Sequence, residues 1–215
     1  MIRAVIFDMD GTIMNTLEDL KDSTNYVLRS HGYENKTLDQ IREYVGNGIR
    51  KLIARAVPKG TDEATIDICF AEMKEYYAEH SLIKTAPYEG IKKTIIKLKE
   101  AGIKIAIVTN KVQPTAEFIT AKFFGDDVEL VVGDNGDKKL KPEADGILYA
   151  LKILGCTKEE AIYIGDSEVD VATAQNAGID FIGVLWGFRS KKILETNGAT
   201  VFAENCFELE KKLIK

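Results

Sequence analysis

The chain reads as an α/β fold: a mainly parallel sheet with helices on both faces, plus a small all-helical cap domain inserted after the first strand. Three observations predict this. An apolar run, Ala4 to Phe7, ends abruptly in Asp8 and Asp10, the pattern of a buried strand whose polar end leaves the sheet. Residues 15–84 then carry helical periodicity and no strand pattern. From Pro87 onward, helical and strand-like segments alternate to the end. The expected organisation is a core of residues 1–14 and 85–215 and a helical domain of residues 15–84.

The first strand is expected over residues 2–7. After Thr12, the residues Leu17, Leu20, Thr24, Val27 and Leu28 recur at three- and four-residue spacing, which predicts a helix that Gly32 stops. Thr37 and Gln40 have capping-box spacing and start a second helix. Val45-Gly46-Asn47-Gly48 breaks it, and a third helix over 49–57 ends at Pro58. Thr61 or Asp62 starts a long helix to about residue 80, with Ile66, Phe70, Met73 and Tyr77 on one face. Beyond Pro87, helix 91–100 leads through Gly102 to strand 103–108, and helix 115–124 to strand 129–132. Helix 142–154 leads to strand 161–164, and helix 169–177 leads through Gly178 to strand 180–184. Strand 200–202 and helix 207–214 follow.

Length and composition bound the function. A chain of 215 residues suits one large domain, or a main domain with an insertion. The formal net charge of -5 argues against nonspecific nucleic-acid binding, which needs a basic surface, but leaves room for a phosphorylated small molecule held in a local cationic pocket. Cys69, Cys156 and Cys206 are widely spaced and odd in number, so they read as buried free thiols of a reducing compartment rather than a disulfide framework. No apolar stretch is long enough for a bilayer, and Asp8 and Asp10 interrupt any signal-peptide core. A cytoplasmic protein without membrane or nucleic-acid partners is therefore expected, as a monomer or weak homodimer.

Several strands end in polar residues. The strand over 103–108 is followed by Thr109-Asn110-Lys111, and the strand over 161–164 by Gly165-Asp166-Ser167-Glu168-Val169-Asp170. Lys141-Pro142 opens a helix after another strand. In a parallel sheet these ends share one edge, where ligands bind in open α/β folds. Carboxylates at Asp8 and Asp166 suit Mg²⁺, a hard cation that prefers oxygen ligands. Asp8 is a candidate nucleophile on phosphorus, and Asp10 a candidate acid and base. Thr109 and Asn110 can donate to phosphate oxygens, and Lys141 supplies fixed positive charge. Each has a plainer reading: an Asx-turn at Asp8, a turn or helix cap at Thr109 and Asn110, a solvated lysine at Lys141, a helix cap at Asp170. A calcium loop starting at Asp8 fails, because its glycine and glutamate positions hold Ile13 and Asp19.

Asp8-Met9-Asp10-Gly11-Thr12, Val108-Thr109-Asn110, Lys141-Pro142 and Gly165-Asp166-Ser167-Glu168-Val169-Asp170, in this order, resemble the four motifs of the haloacid dehalogenase superfamily of phosphotransferases. The resemblance spans almost the whole chain. It implies a Rossmann-like core, Mg²⁺ dependence, Asp8 as nucleophile and Asp10 as acid/base. It places the metal on Asp8, the backbone carbonyl of Asp10 and Asp166, with Asp170 supporting in the second shell or through water. The helical insertion resembles the cap of the phosphoglycolate phosphatase and β-phosphoglucomutase branch, and Val45-Gly46-Asn47-Gly48-Ile49 resembles its substrate-specificity loop. Gly46 and Gly48 would let backbone N–H groups approach an anion, with Asn47 and Arg50 beside them; an ordinary helix–helix turn has the same spacing. Lys111 and Trp186-Gly187-Phe188-Arg189 also look like the phosphoglycolate phosphatase branch. Many relatives carry an acidic residue where this chain has Asn15. The implied activity is Mg²⁺-dependent hydrolysis of a small phosphomonoester, with phosphoglycolate foremost. Alternatives are a hexose phosphate mutase, an inorganic pyrophosphatase, and a non-catalytic phosphate-binding or regulatory protein.

Overall fold

Residues 2–214 are described by a computed structural model of the chain. The elements in order are β1 (Ala4–Phe7), β2 (Met14–Asn15), α1 (Leu17–Ser30), α2 (Leu38–Tyr44), α3 (Ile49–Ala56), α4 (Glu63–His80), β3 (Ala86–Pro87), α5 (Ile91–Glu100), β4 (Lys104–Val112), α6 (Gln113–Phe124), β5 (Leu130–Asp134), α7 (Asp145–Leu154), β6 (Ala161–Gly165), α8 (Glu168–Ala177), β7 (Asp180–Val184), α9 (Lys191–Thr196), β8 (Phe202–Ala203) and α10 (Cys206–Leu213). Two compact units result: residues 1–14 with 87–215, and residues 15–86.

The first unit is built on a six-stranded parallel sheet in the order β5-β4-β1-β6-β7-β8. Its strands form where short apolar, β-branched runs such as Ala4–Phe7 are buried on both faces, as a parallel sheet covered by helices requires. Ala4, Ile6, Val108, Val132 and Tyr163 pack with Ile147, Ala150 and Leu151 of α7 and Ala174 and Ala177 of α8 on one face. Phe7 pairs in register with Ile107 of β4 and Ile164 of β6. The central strand thus delivers Asp8 to the carboxyl edge between two neighbours.

The second unit is an assembly of α1 to α4. Thr37 caps α2 through the expected capping box with Gln40, and the Asp62 side chain caps α4 by accepting from the Thr65 N–H. The buried stripe of α4 is Ile66, Cys69, Met73 and Tyr77. Phe70, expected on that stripe, is only half-buried, and Cys69 beside it is buried instead; both positions fit the three- and four-residue spacing from Ile66 to Met73, so the period alone does not choose between them. Cys156 and Cys206 are likewise half-buried rather than buried.

Three other expectations shift. β4 runs on through Thr109, Asn110 and Lys111 to Val112, with a register shift against β5 between Val108 and Val112, so these residues belong to an irregular strand rather than to the loop after it. α7 begins at Asp145, not at Pro142, because the Asn110 amide holds Lys141 from both sides and the Glu143 N–H closes a turn onto the Leu140 carbonyl. The final strand is Phe202–Ala203, where the Gly183 and Leu185 N–H groups bond to Val201 and Ala203. The sequence reading also missed the two-stranded ribbon of β2 and β3, and α9. Both are too short to show a period.

Candidate active site

Asp8 lies one residue past β1, with its N–H still donating to the Ile164 carbonyl at 2.8 Å. The chain then folds back at once, with the Ile13 and Met14 N–H groups donating to the Met9 carbonyl. Gly11 makes this reversal with φ +88°, and a Cβ there would stand 2.3 Å from the Asp166 carboxylate. Position 11 therefore demands glycine for both torsion and space. Gly187 is pressed as closely on the other flank, where a Cβ would lie 2.3 Å from the Asp166 Cβ.

Lys141 is buried at the centre of the cluster. Its Nζ stands 2.7 Å from Asp8 Oδ1 and 2.7 Å from Asp170 Oδ1, and donates to the Tyr163 hydroxyl at 3.1 Å. Asn110 sets its position: the amide nitrogen donates to the Lys141 carbonyl at 3.0 Å and Oδ1 accepts from the Lys141 N–H at 2.8 Å. Asp170 is engaged on both oxygens. Oδ1 accepts from Tyr163 at 2.7 Å, and Oδ2 accepts from the Ser167 hydroxyl at 2.6 Å and from the Ser167 and Asp166 N–H groups. The cap of α8 and the pairing with Lys141 are therefore both made by Asp170. Asp166 accepts from the Thr12 hydroxyl at 3.1 Å and the Phe188 N–H at 2.6 Å. Asp10, half-buried, faces a different cation, with its Oδ1 3.1 Å from the buried Nζ of Lys111. Thr109 is buried nearby, its hydroxyl accepting from the Lys111 N–H.

Electrostatics separates these carboxylates. Burial pushes Asp8 up to about 7, the charge of Asp170 adds to the rise, and Lys141 opposes it. Burial, then Asp170 and Asp8, push Asp166 well above the ordinary carboxylate range. Burial also raises Asp170, but the charge and hydrogen bond of Lys141, with those of Ser167 and Tyr163, prevail and hold it below that range. Burial pushes the Tyr163 hydroxyl far upward, with Asp170 and Asp8 adding, so it remains a donor. Lys141 is depressed by burial and lifted more by Asp170 and Asp8, and stays charged. Asp8, Asp166 and Asp170 each offer an oxygen within 4.8 Å of the others. Three buried carboxylates against one lysine leave the cluster short of positive charge, and an all-oxygen donor set suits a hard divalent cation.

The structure thus gathers Asp8, Asp10, Thr109, Asn110, Lys141, Asp166 and Asp170 at one edge of the first unit. Sequence reasoning missed Tyr163 as a member, and it quoted Thr12 and Phe188 within motifs without a role, where the structure has them donate to Asp166. Tyr163 carried no signal beyond its place in an apolar strand. Gly46, Asn47, Gly48 and Arg50 lie in the second unit. Gly46 and Gly48 take φ of 123° and 85°. The Arg55 guanidinium donates to Asn47 Oδ1 at 2.8 Å and to the Tyr44 carbonyl. Arg50 Nε lies 2.8 Å from Asp67 and its Nη2 2.6 Å from Glu63.

A parallel sheet whose central strand ends in two carboxylates, each facing its own buried lysine, defines a phosphoryl-transfer enzyme of the α/β class. The chain belongs to the haloacid dehalogenase-like hydrolase family, whose model matches residues 5–184. It is similar to the phosphoglycolate phosphatase of Psychrobacter arcticus, with 33% identity over 86% of this chain and 84% of that one. The phosphoglycolate phosphatase of Aquifex aeolicus is 28% identical over 87% and 86%. A solved structure from Lactobacillus delbrueckii subsp. bulgaricus superposes with a TM-score of 0.93 at 31% identity, covering 98% of both chains. A predicted phosphatase from Clostridium acetobutylicum does so with 0.89 at 27% identity, covering 100% of this chain and 99% of that one. The protein is a phosphomonoester hydrolase of this family. Among the described residues, no helix is long and apolar enough to cross a membrane.

Proposed function

We propose that the protein is a Mg²⁺-dependent phosphatase of a small phosphomonoester, that it works through an aspartyl-phosphate on Asp8, and that 2-phosphoglycolate is its substrate. The observation that carries this is the division of labour between two carboxylates: Asp8 beside Lys141, Asp10 beside Lys111. Paired carboxylates in unlike surroundings are how one site runs nucleophilic and acid–base chemistry together. The substrate assignment draws on the relatives named phosphoglycolate phosphatase.

In the first step an Asp8 oxygen bonds to phosphorus as the bond from phosphorus to the leaving oxygen breaks, and Asp10 gives that oxygen its proton. In the second, water bonds to phosphorus and passes a proton to Asp10, the Asp8–phosphorus bond breaks, and the Asp8 carboxylate returns. Lys141 stabilises charge beside the reacting oxygens, and Thr109 and Asn110 hold the phosphoryl group. Asp8, Asp166 and the Asp10 backbone carbonyl would hold Mg²⁺, with Asp170 behind them. The ion, when bound, supplies neutralisation of the charge shared by nucleophile and phosphate. The helical unit is proposed as the cap, and Gly46, Asn47, Gly48 and Arg50 as its substrate-side segment. Positive-φ glycines support a backbone contact there, whereas Arg50 is already matched by Glu63 and Asp67.

The test is phosphate release from phosphoglycolate, sugar phosphates, nucleotides and pyrophosphate, with and without Mg²⁺. Selective, Mg²⁺-dependent release from phosphoglycolate is expected. Comparable release from the whole panel would remove the substrate assignment. Conversion of β-glucose 1-phosphate to its 6-phosphate without release would make the protein a mutase.

A further inference from the structure

We propose that a second cleft in the first unit binds a small organic cation, a protonated or quaternary amine. The cleft has a volume of about 440 Å³ and is lined by Tyr88, Glu89, Trp186, Glu204, Cys206 and Phe207, none of which belongs to the carboxylate cluster. The inference concerns binding alone and does not depend on the phosphatase reading.

Aromatic walls come first. The Tyr88 and Trp186 rings have centroids 6.5 Å apart and planes tilted by 56°, so they form an open corner rather than a stack. A cation within about 6 Å of both ring faces is attracted by both quadrupoles, as in the aromatic cages that hold methylated amines. Phe207 adds a third ring that is 62% exposed. That ring already attracts an ammonium group, since Lys211 Nζ stands 4.1 Å from its centroid.

Charge comes second. Glu89 and Glu204 are exposed carboxylates lining the cleft, and neither is in an ion pair among the described residues. The N-terminus of α10 opens here and would by itself favour an anion. Side chains of the protein itself meet part of that demand. Asn205 Oδ1 accepts from the Glu208 N–H at 3.0 Å, and the Glu208 carboxylate returns to accept from the Glu204 N–H at 3.0 Å. Glu208 already places a carboxylate at that end, and the charged groups lining the cleft are the carboxylates of Glu89 and Glu204, with the Lys211 ammonium on the Phe207 ring as the neighbouring cation.

The walls are also fixed in place, which lowers the ordering cost of binding. The Cys206 thiol donates to the Glu89 carbonyl at 3.1 Å, and a Cβ on Gly90, which has φ +86°, would come within 3.0 Å of the Cys206 Cβ. Thr94 and Lys97 of α5 bind the two oxygens of Glu210 on α10. The Leu185 N–H donates to the Ala203 carbonyl, which sets Trp186 beside Glu204. The Trp186 indole N–H donates to the Thr12 carbonyl at 2.9 Å.

Trp186 is the chain's single tryptophan, so its emission reports this cleft. The experiment titrates the full chain with tetramethylammonium chloride, read by fluorescence and calorimetry, against NaCl and the neutral isostere neopentyl alcohol. Saturable binding is expected for the cation only, with a Kd on the order of 1 mM. The double variant Glu89→Gln, Glu204→Gln should weaken it about tenfold, and Phe207→Ala about fivefold. Circular dichroism melts would show that these exposed substitutions leave the fold intact. Saturating Mg²⁺ should leave the titration unchanged. Displacement by Mg²⁺ would place the cation on the catalytic carboxylates and overturn the inference. So would equal binding of the neutral isostere, an unaltered Kd in the double glutamine variant, or no saturable heat in the wild type.

Discussion

Lys141 and Arg50 each sit between two carboxylates, and the contrast between them shows what burial does to charge. Lys141 meets Asp8 and Asp170 in the buried edge of the first unit. Arg50 meets Glu63 and Asp67 on the exposed surface of the second. The distances are alike. In the interior, however, water is not there to replace a lost partner, so each charge depends on the others and proton affinities move apart. At the surface, solvent screens the pair and stands in for either member.

The largest break in that contrast is Asp8→Asn. The variant should lose about 10⁴-fold or more in kcat, since its amide is not the nucleophile that the carboxylate is. Its melting temperature should hold. Near-normal turnover would sink the nucleophile assignment. Next comes Lys141→Met, which leaves Asp8 and Asp170 buried without their cation. In metal-free buffer it should cost about 3–5 kcal/mol in urea unfolding. A loss under about 1 kcal/mol would mean that the cluster is far wetter than its burial indicates.

A pH series sharpens the same point. Burial holds the Asp8 carboxyl at about 7 in the folded chain, whereas the unfolded chain releases this proton near ~4. Between those values the folded state keeps a proton that the unfolded state lacks. The contribution of Asp8 is therefore fully present below ~4 and is lost as pH rises to about 7. Metal-free wild type should lose more stability from pH 4 to 7 than Asp8→Asn does, and parallel curves would refute the raised proton affinity. Tyr163→Phe removes one hydroxyl from Asp170 and Lys141 and should cost about 1 kcal/mol, read by the same unfolding experiment. The smallest effect belongs to Arg50→Ala, whose melting curve should overlay that of wild type. A clear drop would show that the exposed network is not the screened surface pairing it resembles.

Much of the first unit was legible because its signals are local. The apolar run into Asp8, the glycine at 11, and the Ser167–Asp170 capping spacing each announce a strand end, a turn and a helix start within a few residues. The irregular continuation of β4 through Thr109 to Val112 was not legible, since it depends on pairing with β5. The start of α7 escaped for a similar reason: Asn110, thirty-one residues away, decides where Lys141 is held. In the helical unit, capping at Thr37 and Asp62 could be read directly. That Arg50 spends its donors on Glu63 and Asp67 could not, because those partners lie thirteen and seventeen residues on, across a helix–helix packing.

By itself, the sequence determined the alternation of elements and the chemical types at each strand end, because periodicity, caps and glycines act over a few residues. Only the tertiary structure decided who meets whom: Lys141 with Asp8 and Asp170, Tyr163 with Asp170, Lys111 with Asp10. The physical reason is that charge pairing and desolvation depend on distance in space and on exclusion of water. Both arise only once β1 is fixed between β4 and β6 and the surrounding helices have closed over them.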